Sequence, residues 1–81
     1  MITAMEIKVV LFGMLRERLA KESRGRLAME LPEAATIRDL LAKLGIQMTV
    51  ICSVNGETER NFDHPLKDGD GVQIFQSIGG G

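Results

Sequence analysis

The sequence has few of the groups that enzymes use for catalysis: its 81 residues include one cysteine, one histidine, no tyrosine and no tryptophan. Cys52 has no second cysteine to form a disulfide, and its place within an apolar strand pattern is typical of an inert, small hydrophobic residue. His64 has no second histidine or cysteine nearby, so neither a metal site nor half of a catalytic pair is expected at that position. The sequence therefore predicts a protein that is not catalytic on its own.

Surplus charge and long apolar runs are also missing. The net charge is −1 and the pI is about 5.7, whereas binding to nucleic acid requires an excess of lysine and arginine. No run is apolar enough for a transmembrane span or a signal peptide, so we expect no membrane partner and a cytoplasmic protein. The charges are unevenly spread, because residues 1–26 hold six basic and three acidic groups while residues 27–81 hold four basic and eight acidic groups. An acidic C-terminal part could suit a basic partner, or it could be only a solvated surface.

The residue patterns predict one helix among several strands. Thr36 as the N-cap, Asp39 three residues later and Gly45 as the terminating residue indicate a helix over 37–44. Alternating apolar residues predict strands at 6–12, 26–31, 50–55 and 72–75, a short charged edge strand at 57–61, and a helical turn at 14–21. This order indicates an α+β fold, in which one helix lies across a mixed four- to five-stranded sheet and the last strand pairs beside the first.

The chain is expected to form a single domain over residues 1–81. Residues 1–4 are predicted to be a loose N-terminal extension, and residues 77–81 a flexible C-terminal tail. The tail ends in three consecutive glycines, which have no Cβ and could pass through a channel too narrow for any side chain. Five extended residues span about 17 Å, enough to enter the active site of another protein. The alternative is a frayed terminus or a linker remnant.

The α-carboxylate of Gly81 is then the one chemically credible reactive group. A carboxylate does not react with nucleophiles until one of its oxygens becomes part of a leaving group, and ATP-dependent adenylation is the obvious route. The sequence offers no means of doing this itself, so a partner must activate the terminus.

Several stretches resemble the MoaD/ThiS family of ubiquitin-like sulfur carriers. The segment Asn61-Phe-Asp-His-Pro-Leu-Lys-Asp-Gly-Asp-Gly-Val72 leads into an apolar strand and a terminal Gly80-Gly81, as in the molybdopterin-synthase branch of that family. Ile7-Lys-Val-Val-Leu-Phe12, Leu15-Arg-Glu17 and Val54-Asn55 resemble the first strand, its loop and the end of the third strand. The resemblance covers nearly the whole chain and implies a β-grasp fold.

The resemblance also implies a function and the residues that perform it. An adenylating enzyme of the ubiquitin-activating type would form an acyl-adenylate at Gly81, and sulfur transfer would yield a thiocarboxylate. The terminal sulfur would then be delivered inside a second partner, a sulfur-accepting synthase subunit of the molybdenum cofactor pathway. ATP would be used by the activating partner, and no cofactor would be bound by the chain itself. Residues expected to contact the partners are Phe12, Phe75, Ile78, Gly79 and Gly80.

Three alternatives remain open at the level of the sequence. Gln76-Ser77 stands where the molybdopterin branch typically has Pro-Pro, and Phe75-Gln-Ser-Ile78 resembles the branch that makes the thiazole of thiamine. A ubiquitin-like modifier would use the same adenylate to join Gly81 to a lysine of a target protein. A plain interaction module with an idle tail is the third reading.

Overall fold

The computed structural model describes residues 4–19 and 21–77, and it consists of five strands, one α-helix and two short 3-10 helices within those ranges. The prediction of an α+β fold with one main helix is therefore confirmed. The elements, in chain order, are β1 Ala4–Leu11, a first 3-10 helix Gly13–Arg18, a second 3-10 helix Lys21–Ser23, β2 Arg26–Pro32, α1 Ile37–Leu44, β3 Val50–Val54, β4 Glu57–Glu59 and β5 Gly71–Gln76.

All five strands form one mixed sheet in the order β2-β1-β5-β3-β4. β1 and β5 are parallel, and the other neighbouring strands are antiparallel. The last strand thus lies at the centre of the sheet beside the first, as the sequence predicted. The helix packs across one face of this sheet, which gives the β-grasp arrangement. None of the helices in the described ranges is long and apolar enough to cross a membrane.

The core lies between α1 and the inner face of the sheet. Alternate residues of each strand point inward because successive side chains of a strand face opposite ways. The fully buried side chains of the strands meet the buried stripe of α1, which consists of Ile37, Leu40 and Leu41. The buried apolar positions on the three central strands are Met5, Ile7, Val9, Leu11, Val50, Cys52, Val72 and Ile74.

Both ends of α1 are capped as the sequence predicted. The backbone N–H of Asp39 donates to the Thr36 hydroxyl at 3.2 Å, and the Asp39 carboxylate accepts the backbone N–H of Thr36 at 2.9 Å. This capping box satisfies donors that the first turn would otherwise leave unpaired. At the other end Gly45 has a φ of 74°, a left-handed conformation that glycine adopts without a steric cost. The caps hold this short helix in place over the sheet.

The turn between β3 and β4 also fixes the start of β5. Asn55 and Gly56 both have positive φ angles, 53° and 88°, as expected for the predicted Asn-Gly hairpin turn. The side-chain oxygen of Asn55 accepts the backbone N–H of Gly71 at 2.9 Å, and its amide nitrogen donates to the Asp70 carboxylate at 2.9 Å. The backbone N–H of Glu6 donates to the Asp68 carboxylate at 2.8 Å. The Asp68-Gly-Asp70 motif therefore joins β1, β3 and β5 at one end of the sheet.

Several boundaries differ from the sequence expectations. β1 begins at Ala4, which the sequence analysis placed in the N-terminal extension, because Ala4 still pairs with Pro32 of β2. The predicted helical turn at 14–21 is a 3-10 helix at Gly13–Arg18 followed by a second one at Lys21–Ser23. β4 ends at Glu59 rather than at residue 61. The rest of the predicted extension, residues 1–3, lies outside the described residues.

Candidate docking site at the end of the last strand

Two aromatic rings mark the place where the central strands end. Leu11 of β1 and Ile74 of β5 are paired in register, so the next residue of each strand, Phe12 and Phe75, lies on the opposite face from the core. The two rings stack with their centroids 4.5 Å apart and their planes 12° from parallel. The backbone N–H of Phe12 donates to the carbonyl of Ile74 at 3.1 Å, which keeps the strands together up to this point. The sequence named both residues as partner-binding, and the structure brings them together.

The aromatic pair is part of a larger exposed apolar area. Ile51 of β3 lies directly opposite Phe75 in the β3–β5 ladder and is 49% exposed. Met14, in the first 3-10 helix, is 69% exposed and lines a groove of about 480 Å³ together with Phe12, Gly13, Phe75 and Gln76. We call the side chains of Phe12, Met14, Ile51 and Phe75 the apolar face. Contiguous exposed apolar side chains of this kind mark interaction surfaces.

Sequence reasoning missed Met14 and Ile51 as members of this face. Ile51 could have been found from the strand pattern: in a strand whose inward residues are Val50, Cys52 and Val54, it is an apolar side chain on the outward side. Met14 could not have been found in this way, because the first 3-10 helix has no strand periodicity and its position depends on how it folds back over β5.

The predicted tail leaves the sheet beside the apolar face. The backbone N–H of Ser77 donates to the carbonyl of Thr49 at 3.1 Å, one residue beyond the Val50–Gln76 pair of the β3–β5 ladder. The chain is thus held to β3 up to Ser77. The remaining residues that the sequence named, Ile78, Gly79, Gly80 and Gly81, lie outside the described residues.

Cys52 is enclosed on the inner side of the sheet. Its side chain is fully buried, as the sequence predicted, and burial raises the pKa of the thiol to about 11. Since the thiolate is the reactive form of cysteine, a buried thiol with a raised pKa is protonated and inert at neutral pH. β3 therefore presents Ile51 to the apolar face and hides Cys52 from it.

The polar groups of the loop between β4 and β5 have structural partners. The guanidinium of Arg38 donates to the Asp63 carboxylate at 2.9 Å, and this contact lowers the pKa of the Asp63 carboxyl. The imidazole Nδ1 of His64 lies 3.4 Å from the Glu59 carboxylate. Across the described part of the chain, no three histidine, cysteine, aspartate or glutamate side chains are grouped so that they could hold a metal ion.

Solved structures of other proteins share this fold. A Pyrococcus furiosus protein assigned as subunit 1 of molybdopterin converting factor is 27% identical, with a TM-score of 0.75 over 91% of this chain and 99% of its own. The small archaeal modifier protein 1 of Haloferax volcanii, at 17% identity, has a TM-score of 0.74 over 91% of this chain and 99% of its own. The complex of subunits 1 and 2 of the molybdopterin-converting factor of Helicobacter pylori contains a chain that is 23% identical. Its TM-score is 0.63 over 95% of this chain and 100% of its own.

Sequence comparison gives the family. The chain is 30% identical to the molybdopterin synthase sulfur carrier subunit of Escherichia coli strain K12, over 93% of this chain and 99% of that protein. The family model described as ThiS family matches residues 9–81, which include β1 from Val9 onward, the aromatic pair and the glycine tail. The chain therefore belongs to the ThiS family, as its resemblance to the MoaD/ThiS sulfur carriers predicted.

Proposed function

We propose that this protein is a sulfur carrier that holds sulfur as a thiocarboxylate at Gly81 and donates it for the synthesis of molybdopterin. The single observation that best supports this is the position of β5: the central strand of the sheet ends beside the apolar face and leads directly into the glycine tail. The match to the ThiS family model extends through that tail to residue 81.

The chemistry requires a partner for activation. A carboxylate oxygen of Gly81 attacks the α-phosphorus of ATP and pyrophosphate leaves, which gives an acyl-adenylate. A sulfur nucleophile at the oxidation level of sulfide then attacks the acyl carbon, and AMP leaves with its electron pair. The product is a thiocarboxylate, whose sulfur attacks the acceptor; water then attacks the acyl carbon, the carbon–sulfur bond breaks, the sulfur stays on the acceptor and the carboxylate is restored. ATP is bound by the activating enzyme in this scheme, and the chain itself holds no cofactor.

The role of the apolar face is to bind the partner enzyme, so that the carrier stays in place while its tail reaches the reacting centre of that enzyme. Binding energy from contacts away from the reaction can align the terminus, and a misplacement of about 1 Å can cost roughly 100-fold in rate. Phe12 and Phe75 are suited to this because stacked, half-buried rings are rigid and lose little entropy on binding. The strand beneath them is paired on both sides, which makes the platform rigid.

The proposed acceptor is a second subunit of a molybdopterin synthase. The E. coli relative is a sulfur carrier subunit of that enzyme, and the H. pylori neighbour was solved in a complex of the two subunits of its molybdopterin-converting factor. The same surface and tail would serve the activating enzyme at an earlier step, so the two partners would bind in turn.

The experiment is an intact-mass measurement of the protein isolated from its native cells. A species heavier by the difference between sulfur and oxygen, which disappears in cells lacking the activating enzyme, supports sulfur carriage. A ladder of larger conjugates that release this chain after cleavage at a lysine isopeptide would instead support the ubiquitin-like modifier. Unmodified protein alone, in cells that make molybdenum cofactor, would contradict the proposal.

A second candidate is sulfur donation to the thiazole of thiamine. Phe75-Gln-Ser-Ile78 resembles the thiazole branch, and the Ser77 backbone N–H donates to the Thr49 carbonyl, a bond that the second proline of the molybdopterin branch could not make. The two pathways are separated by the acceptor. Thiocarboxylated protein is incubated with each purified synthase in turn, and the enzyme that consumes the thiocarboxylate identifies the pathway.

A further inference from the structure

We propose that the end of the molecule from which the tail leaves is a positively charged docking end, and that it binds an acidic rim around the tail channel of the activating enzyme. This inference rests on the proposed function, since it concerns how the same partner recognises the carrier. It adds a second, electrostatic surface to the apolar face. Its cations are Arg16, Lys21 and Arg24, which outnumber Glu17, the one carboxylate among the described residues that line it, and we call this surface the basic groove.

The topology places the basic groove at the tail end. Residues 12–25 connect the end of β1 to the start of β2, and β1 runs parallel to β5, so this connection lies at the same end of the sheet as the exit of the tail. Residues 13–26 contain five basic and two acidic residues. The groove has a volume of about 690 Å³, and Gly13 lines both it and the smaller groove beside Phe75. The basic groove and the apolar face are therefore contiguous.

The cations in the groove are available to a partner. Arg16, Lys21 and Arg24 are exposed and form no ion pair with any carboxylate that the structure describes. The side chain of Arg16 packs against Gly25. A Cβ at Gly25 would lie 3.0 Å from the Arg16 side chain and 2.5 Å from the carbonyl oxygen of Leu11, so the close approach requires glycine. Arg18 differs from the other three, because its guanidinium faces the carbonyl of Leu44 at the end of α1, 3.5 Å away.

The opposite end of the sheet is predominantly acidic. The groove beside the β3–β4 turn is lined by the carboxylates of Glu57, Glu59 and Asp70, with Lys67 as its one lysine. The Asp68 carboxylate lies at the same end, where it accepts the N–H of Glu6. The basic groove and these carboxylates therefore lie at opposite ends of β5, and the tail leaves from the end that holds the basic groove.

This charge separation indicates what kind of partner surface fits. A dipolar molecule that approaches an acidic site turns its positive end toward it, which raises the association rate by roughly 10- to 1,000-fold at low ionic strength. Here that orientation also presents the tail first. A basic rim around the channel would instead attract the acidic end, and a neutral rim would not orient the chain, so the charges on this chain fit an acidic rim.

The test compares the same lysine-to-glutamate substitution at the two ends of the sheet. Lys21→Glu reverses a charge in the basic groove, and Lys67→Glu makes the identical change at the acidic end, while the backbone N–H of Lys67 keeps its bond to Asp70. ATP-dependent pyrophosphate exchange is measured with the activating enzyme of the source organism. We expect kcat/KM to fall about five- to tenfold for Lys21→Glu at low salt, with kcat unchanged, and to stay near the wild-type value for Lys67→Glu.

Salt gives an independent readout. Raising the ionic strength from about 0.01 M to about 0.15 M shortens the screening length from about 30 Å to about 8 Å, and should bring the kcat/KM values of the wild type and Lys21→Glu closer together.

Equal kcat/KM values for Lys21→Glu and Lys67→Glu at low salt would overturn the inference. Arg24→Gln, which only removes a charge, repeats the test if Lys21→Glu melts at a lower temperature. Failure of the wild-type protein to support exchange would count against the proposed function and not against the charge assignment.

Discussion

At the scale of single residues, Phe75 links the packing of the sheet to the binding of a partner. Phe75→Ala removes the ring that stacks on Phe12 and contacts the groove beside Met14. We expect affinity for the activating enzyme to fall about 10- to 100-fold, as is typical when an aromatic side chain at the centre of an interface is removed. The affinity is measured by titration of the enzyme with the carrier at fixed salt concentration.

Phe62→Ala is the matched control for that change. Phe62 is also half-buried, but it packs against the core from the loop after β4 rather than from the apolar face. Both variants should lose about 1–3 kcal/mol of stability, and only Phe75→Ala should lose affinity. An equal loss of affinity in the two variants would show that the effect comes from stability and not from docking.

Cys52 gives a prediction about pH. The folded-state pKa of its thiol is raised to about 11 by burial, whereas an unfolded thiol titrates near pH 8.5. As the pH rises through this window, the unfolded chain releases the proton first, so the free energy of unfolding of the wild type falls. The same free energy for Cys52→Ala should fall less between pH 8.5 and about 11. Urea titrations at several pH values measure both, and parallel curves would contradict the assignment of a buried, neutral thiol.

At the scale of elements, α1 is held by its apolar stripe. Leu41 is 8% exposed and faces the sheet, so Leu41→Ala should lower the free energy of unfolding by roughly 2–5 kcal/mol. Leu44→Ala makes the same change at a half-buried position at the end of the helix and should cost less. Thermal and urea unfolding measure the loss of stability in both variants. A larger loss for Leu44→Ala than for Leu41→Ala would mean that the helix is rotated about its axis relative to the structure.

Sequence reasoning was most reliable where one short segment determines its own structure. The helix was predicted with its bounds because Thr36, Asp39 and Gly45 act within a single helix. The Asn55-Gly56 turn was likewise predicted from two residues. Ala4 and the 3-10 helices were less predictable, because their conformations depend on pairing with Pro32 and on packing over β5, which are contacts between distant parts of the chain.

At the scale of the whole molecule, the fold brings together features that are far apart in the sequence. Phe12 and Phe75 were named from the sequence through a family resemblance, but their stacking depends on the parallel pairing of the first and last strands. The excess of basic residues in 1–26 was visible in the sequence as a bias in composition. The position of these residues at the tail end follows only from the parallel pairing of β1 and β5. Antiparallel pairing would have put the loop after β1 at the end of the sheet away from the tail.

The role of the Gly81 carboxylate as the reacting group can be measured by ATP–pyrophosphate exchange with the Gly81-deleted protein, together with the melting curve of that protein. Deletion moves the terminal carboxylate back by about 3.5 Å without changing any core residue. We expect an unchanged melting temperature and a loss of exchange by at least about 100-fold, since a shift of about 1 Å can already have that effect. Full exchange with the Gly81-deleted protein would remove the terminus from the mechanism.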